Sequence, residues 1–145
     1  MSMQADAPDT DNPPPAEALL RLAMSGMLSQ AIAVAAQLGI ADLLADGPRD
    51  SADLAAASGT HPPSLYRLLR ALTGVGVLVE EADGRFSLTP LGAPLRSDAP
   101  DSVRAMAALV GLPFHRRAWT ELLYSVRTGQ PGLDHALGMG GFEYF

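Results

Sequence analysis

The sequence has no cysteine, which excludes disulfides, thiolate zinc sites and cysteine nucleophiles together. It has no lysine either: all 10 basic residues are arginine, against 16 acidic ones, for a formal charge of -6. With abundant Ala, Gly and Pro, that bias points to a GC-rich coding sequence, which base composition of the gene would check. An acidic chain is a poor partner for polyanions, because every phosphate contact must come from a cationic side chain. The N-terminus has no basic region ahead of an apolar run, which argues against a secretory signal. Between Leu22 and Ala41 there is no charge at all. Such a run just reaches across a bilayer in length, yet Ser25, Gly26, Ser29, Gln30, Gln37 and Gly39 interrupt it and the remainder is mostly Ala. Insertion would gain little, so the expectation is a non-membrane, cytoplasmic chain.

What is present is ordinary for one domain: 145 residues, 48% hydrophobic, long enough to bury a core. Residues 1–15, with Asp6, Asp9, Asp11 and Pro13-Pro14-Pro15, read as a disordered tail. A long helix is expected from about Ala16 to Leu38, buried on most of its circumference. Its stripe of Leu19, Leu20, Met24, Met27, Leu28, Ala31, Ile32, Ala35 and Leu38 is wider than a small domain can hide, and a homodimer is the simplest cover for it.

The segment from Asp50 to Pro90 organises the rest. Asp50-Ser51 caps a short apolar helix that Ser58-Gly59 ends. Pro62-Pro63-Ser64 opens a second helix with Leu65, Leu68, Leu69 and Leu72 on one side and Tyr66, Arg67 and Arg70 on the other, stopped by Gly74 and Gly76. Val77-Leu78-Val79 and Arg85-Phe86-Ser87-Leu88 then flank a hairpin whose Asp83-Gly84 pair accepts positive backbone angles. Two helices and a wing in succession spell a winged helix-turn-helix. A polar connector, Leu95 to Pro100, leads to a helix capped by Asp101-Ser102 and running to Gly111. A further helix spans about Phe114 to Arg127, and a short apolar piece Leu133 to Leu137. The chain stops on Phe142-Glu143-Tyr144-Phe145 with no cap or stop signal, which reads as truncation of a longer protein, natural or engineered.

No catalytic constellation emerges. A DNA reader needs basic side chains on its recognition helix and wing, whereas this wing carries Glu80, Glu81 and Asp83, so nucleic-acid binding is not expected. Gly74-Val75-Gly76 would need a third Gly at Val79, and Gly138-Met139-Gly140 one at Glu143; both read as turns rather than nucleotide loops. Glu80 and Glu81, adjacent on a strand, point to opposite faces and make no acid-base pair. His61, His115 and His135 have no metal spacing. Arg116-Arg117 and Asp134-His135 read as local charge on helix surfaces. Trp119 and Met24, Met27, Met106 and Met139 are residues of a core or of a pocket for a flat apolar ligand.

In their order, these parts resemble the N-terminal half of S-adenosylmethionine-dependent O-methyltransferases of small aromatic metabolites, the group of plant phenolic and bacterial polyketide-tailoring enzymes. The matching segments are Leu38-Gly39-Ile40-Ala41-Asp42-Leu43-Leu44, Leu65 to Leu72, Phe86-Ser87-Leu88-Thr89-Pro90-Leu91-Gly92, Trp119 with Arg127-Thr128-Gly129-Gln130-Pro131, and Gly138 to Tyr144. The likeness covers nearly all of the chain after Ala16. It implies a mainly α fold: a winged-helix dimerisation domain over residues 16–97 with a long N-terminal dimerisation helix, then a helical connector over residues 98–145 leading to a catalytic domain absent from this chain. It also implies a homodimer, S-adenosyl-L-methionine as cofactor in the full-length enzyme with its site downstream, and a small aromatic hydroxyl compound as acceptor in secondary metabolism. No catalytic, cofactor-binding or metal residue is assigned to this chain, which is expected to be inactive alone. Positions implied to line or close the acceptor pocket are Met24, Leu109, His115, Gly141, Phe142 and Phe145. The alternatives are a ligand-sensing dimeric winged-helix transcriptional regulator and a free-standing dimerisation module paired with a separately encoded catalytic half.

Overall fold

Proline opens the first helix and glycine closes it. In the computed structural model, which describes residues 13–140, α1 spans Pro15–Leu38 and ends on Gly39 at a φ of 69°, whose N–H turns back to the carbonyls of Ala35 and Ala36. A side chain resists that left-handed geometry, so glycine stands there for a reason. One turn of helix, α2 (Ile40–Leu43), follows directly. The Asp50 carboxylate then accepts the N–H of Asp53 at 2.8 Å and starts α3, Ser51–Ser58, as its spacing foretold. α4, Pro62–Thr73, turns Leu65, Leu69 and Leu72 inward.

The wing is β1 (Leu78–Glu80) paired antiparallel with β2 (Phe86–Leu88), Val79 facing Ser87. Its turn departs from the Asp-Gly reading. Among the described residues only glycines have positive φ, so Gly84 (81°) adopts it and Asp83 does not. Gly84 donates to the Glu81 carbonyl and Glu81 to that of Arg85, the pattern of an ordinary turn followed by a left-handed glycine bulge. On the other side of β2, Arg49 and Phe86 exchange both backbone bonds, at 3.0 and 2.8 Å. That bridge carries no sequence signal, and it fastens the chain before α3 to the wing.

Around Phe86, which is fully buried, pack Ile40, Leu44, Leu54, Leu65, Leu69, Leu72, Val77 and Leu78, with Ala35 and Ala36 closing the α1 side. Tyr66 meets the Phe86 ring edge-on at 6.0 Å. This is the core of a mainly α, winged-helix fold, as the sequence order indicates.

A short 3-10 turn at Ala93–Leu95 leads to α5 (Arg104–Val110), α6 (Pro113–Thr120), α7 (Leu122–Thr128) and α8 (Gly132–Leu137). The cap of α5 falls one residue later than expected, on Val103, without a side-chain bond. Ser102, the expected cap, still accepts the Arg104 N–H, at 3.4 Å, and its hydroxyl donates to the Arg96 carbonyl at 2.6 Å. What anchors α5 is Arg104. Its guanidinium donates to the Ala36 carbonyl at the end of α1, 3.0 Å, and pairs with Asp42, whose other oxygen accepts both the N–H and the hydroxyl of Ser97. The Ala36 carbonyl, which the Gly39 N–H reaches only at 3.3 Å, thereby gains a second and closer donor.

Two expectations need correction. The single helix foreseen over 114–127 is two, broken at Glu121 (φ -90°, ψ 12°). The break is where α8 docks: a Cβ on Gly132 would lie 2.8 Å from Ser125 Oγ and 3.1 Å from the Ala118 carbonyl, so backbone there touches both pieces. Nor is α1 buried on most of its circumference. Only Ala33, Ala35 and Ala36 are, while Leu19, Leu20, Leu22, Met24 and Met27 stand exposed, Met27 at 62%. The core reaches only the C-terminal third of this helix, because α5 is its main partner there. By length and composition alone α1 also meets the requirement of a membrane span, although little of it is buried. The tail foreseen over residues 1–15 lies largely outside the described residues, and α1 begins at its last position.

Candidate functional site

Where α1 runs past α6, the two helices leave a cavity of about 810 Å3, within the range of small-molecule sites. The α1 wall is Ser25, Gly26, Ser29 and Gln30; α6 contributes His115, Arg116, Trp119 and Thr120, with Val110 at the end of α5. The helical repeat explains the pairing. Ser25 and Ser29 are four apart, as are His115 and Trp119, so each pair shares one face of its helix.

His115 is the implied pocket residue that does reach the cavity. The Trp119 indole N–H donates to its Nε2 at 3.4 Å. An indole only donates, so in the neutral ring Nε2 accepts and Nδ1 carries the proton. That Nδ1 is buried and has no hydrogen-bond partner among the described residues. An unmet buried donor costs about 1–3 kcal/mol.

The other implied positions are placed differently. Met24 lies on α1 beside Ser25 but on the exposed apolar stripe, and Leu109 lies on α5 beside Val110; neither is among the residues lining the cavity. Gly141, Phe142 and Phe145 lie outside the described residues. Arg116, read from sequence as surface charge, is on the wall. The spaced serines of α1 facing a His-to-Trp pair were the available signal, hidden by the apolar residues between them.

Much of the charge on the winged-helix face is internally matched. Arg70 of α4 pairs with Glu80 of the wing, and that carboxylate, by hydrogen bond first and by charge second, raises the guanidinium further above its ordinary value. Glu81 accepts the Ser87 hydroxyl at 2.6 Å, and Asp83 pairs with Arg85 at 2.7 Å. Farther along, Tyr124 and His135 stack at 3.9 Å, with Glu121 3.5 Å from the imidazole, joining the broken helix to α8. No cluster of three or more potential metal ligands occurs among the described residues.

The sequence profile of the O-methyltransferase dimerisation domain matches residues 20–98. The chain belongs to this family. It is 41% identical over 126 residues to the phenazine O-methyltransferase PhzM of Lysobacter antibioticus, covering 87% of this dimerisation-domain chain and 37% of that protein. The crystal structure of LaPhzM superposes with a TM-score of 0.85 at 40% identity, over 91% of this chain and 40% of that one. NcsB1, an O-methyltransferase from neocarzinostatin biosynthesis solved with S-adenosylmethionine and 2-hydroxy-5-methyl naphthoic acid, gives 0.70 at 36% identity, over 81% and 36%. The chain thus spans well under half the length of these relatives.

Among the described residues, the lining of this cavity does not fit the methyl donor. S-Adenosylmethionine carries a sulfonium, a ribose diol and an ammonium group, which call for carboxylates or carbonyls, and a carboxylate, the one group that an arginine suits. The cavity lining offers Arg116 and no carboxylate. The one sheet among the described residues is the antiparallel hairpin, without the parallel strand ends at which nucleotide-bearing ligands sit.

Proposed function

We propose that this chain is the dimerisation and pocket-capping part of an S-adenosylmethionine-dependent O-methyltransferase acting on a small aromatic hydroxyl compound in secondary metabolism. The carrying observation is the combination of a winged-helix core belonging to the dimerisation family with an α1 whose N-terminal half stands exposed and apolar. A second copy of the chain covers that stripe, so the working unit is a homodimer, and the organisation is a winged-helix dimerisation domain over 16–97 followed by a helical connector over 98–145. The methyl donor binds to a catalytic domain beyond these residues, and the protein works in the cytoplasm without membrane or nucleic-acid partners.

Within that enzyme, this chain's residues bind and enclose rather than react. His115, with Met24 and Leu109 nearby and Gly141, Phe142 and Phe145 on the path out of the connector, line or close the acceptor pocket. Trp119 supplies a flat wall for an aromatic ring, and closing the pocket excludes water from the methyl transfer. The compound bound beside S-adenosylmethionine in the solved NcsB1 complex, 2-hydroxy-5-methyl naphthoic acid, is an aromatic hydroxy acid, which supports an aromatic hydroxyl compound as the substrate class.

Calorimetric titration with S-adenosylmethionine and its demethylated product tests the division of labour. The 145-residue chain is expected to show no binding, and a chain extended to the relatives' length micromolar binding. Saturable binding by the short chain would overturn the assignment of the donor site to the missing half.

A further inference from the structure

Every arginine in this chain has a choice of carboxylates, since acidic residues outnumber basic ones 16 to 10. Arg21, Arg49, Arg70, Arg85, Arg96 and Arg104 take one. Arg67, Arg116, Arg117 and Arg127 enter none of the ion pairs found among the described residues, and of these only Arg116 lines the cavity between α1 and α6. We infer that this cavity selects an acceptor bearing an anionic group, an aromatic carboxylate whose ring lies on Trp119 and whose carboxylate is held by Arg116. The inference rests on reading the cavity as the acceptor pocket and adds the charge of what it holds.

Arg116 and Trp119 are three residues apart on α6, so guanidinium and indole are neighbours on one helix face. Trp119 is 63% exposed, and its N–H is already turned to His115. What the indole has left to offer is ring surface, which suits a flat aromatic. The facing wall is neutral and hydrogen-bonding, from Ser25, Ser29 and Gln30, and nothing lies within 4 Å of a Cβ placed on Gly26, which leaves room opposite the ring. No Asp or Glu lines the cavity. A neutral phenol covering Arg116 strips water from a charge and returns no counter-charge. A planar carboxylate returns one with two parallel hydrogen bonds, the geometry a guanidinium fork is built for. A single guanidinium matches a single carboxylate, and a cationic ligand is repelled.

The test compares 3-hydroxy-2-naphthoate with 2-naphthol, which differ only in the carboxylate, by calorimetry on the 145-residue chain. Trp119 is the sole tryptophan, so its indole 15N–1H resonance reports on the site alone. The naphthoate is expected to bind at least tenfold tighter, with that resonance shifting. Arg116→Gln should abolish the preference for the naphthoate, and Arg116→Lys should restore part of it. Equal affinities, with the indole shifting for both ligands, would overturn the anionic acceptor and leave the pocket standing. A preference that survives Arg116→Gln would remove Arg116 from the role. If neither ligand moves the indole, the pocket reading falls and the proposal with it.

Discussion

Asp50 does for α3 what a backbone carbonyl cannot do at a helix start: it accepts the free N–H of Asp53. Asp50→Ala removes that acceptor and should cost about 1 kcal/mol in urea denaturation, whereas Asp50→Ser should be nearly neutral because the hydroxyl caps equally well. A second carboxylate makes a pH prediction. The Arg85 backbone N–H, followed by its side chain, holds the Asp83 carboxyl below its ordinary 3.8. A carboxyl depressed by folding contributes stability that is full above its ordinary value and is lost as pH falls through the folded one. Asp83→Asn keeps the acceptor for the backbone bond and loses the charge. The variant should therefore be less stable than the parent near pH 6, with the gap closing as acidification passes below the ordinary carboxyl value. A gap that stayed constant with pH would contradict this. Asp98, held low first by the Arg96 side-chain hydrogen bond, should behave alike.

At the scale of elements, the same substitution has opposite signs at two glycines that α1 involves. A Cβ on Gly111, just after α5, would sit 2.5 Å from the Ala33 Cβ and 3.1 Å from Gln37 Nε2. Gly111→Ala should force α5 away from α1 and destabilise by about 1–3 kcal/mol. Gly26 lies within α1 with nothing in the way, and Gly26→Ala should stabilise by about 0.5–1 kcal/mol. Thermal melts of the two variants beside the parent check both signs. Elements also show why some of the chain could be read in advance and some not. α3, α4 and the wing carry their own punctuation, Asp50, Gly59, Pro62 and Gly84, and so were legible. The Arg49–Phe86 bridge and the Arg104–Asp42 anchor join residues far apart in sequence, and no local pattern encodes such a pair. The break at Glu121 was hidden for a related reason: Trp119, Leu122, Leu123 and Val126 keep helical spacing across it, and what interrupts the helix is the approach of Gly132 from another segment. The cavity was half legible. His115 was singled out, while Arg116 looked like any charged residue on a helix, and only the arrival of α1 opposite it gives that charge a setting.

For the whole molecule, the exposed half of α1 is the dominant fact. Apolar side chains from Leu19 to Met27 present a continuous surface of the kind that monomers seldom leave in water. Size-exclusion chromatography with light scattering should give twice the chain mass of 15.1 kDa at micromolar concentration. Met27→Glu should shift it to the single mass without altering the helical circular dichroism of the winged-helix core. A parent chain that ran as a monomer would remove the homodimer from the proposed function.

The composition of that same helix also bears on choice of partner. From Leu22 to its end α1 contains no charged residue, and its single ion pair, Glu17 with Arg21, is spent within the helix itself. Helices that discriminate among partners do so through charges that match one neighbour and repel another. A seam without them tells subunits apart by shape alone. Two related dimerisation domains made in one cell with similar side-chain contours along α1 should therefore exchange partners, and mixed dimers are expected wherever their genes are expressed together.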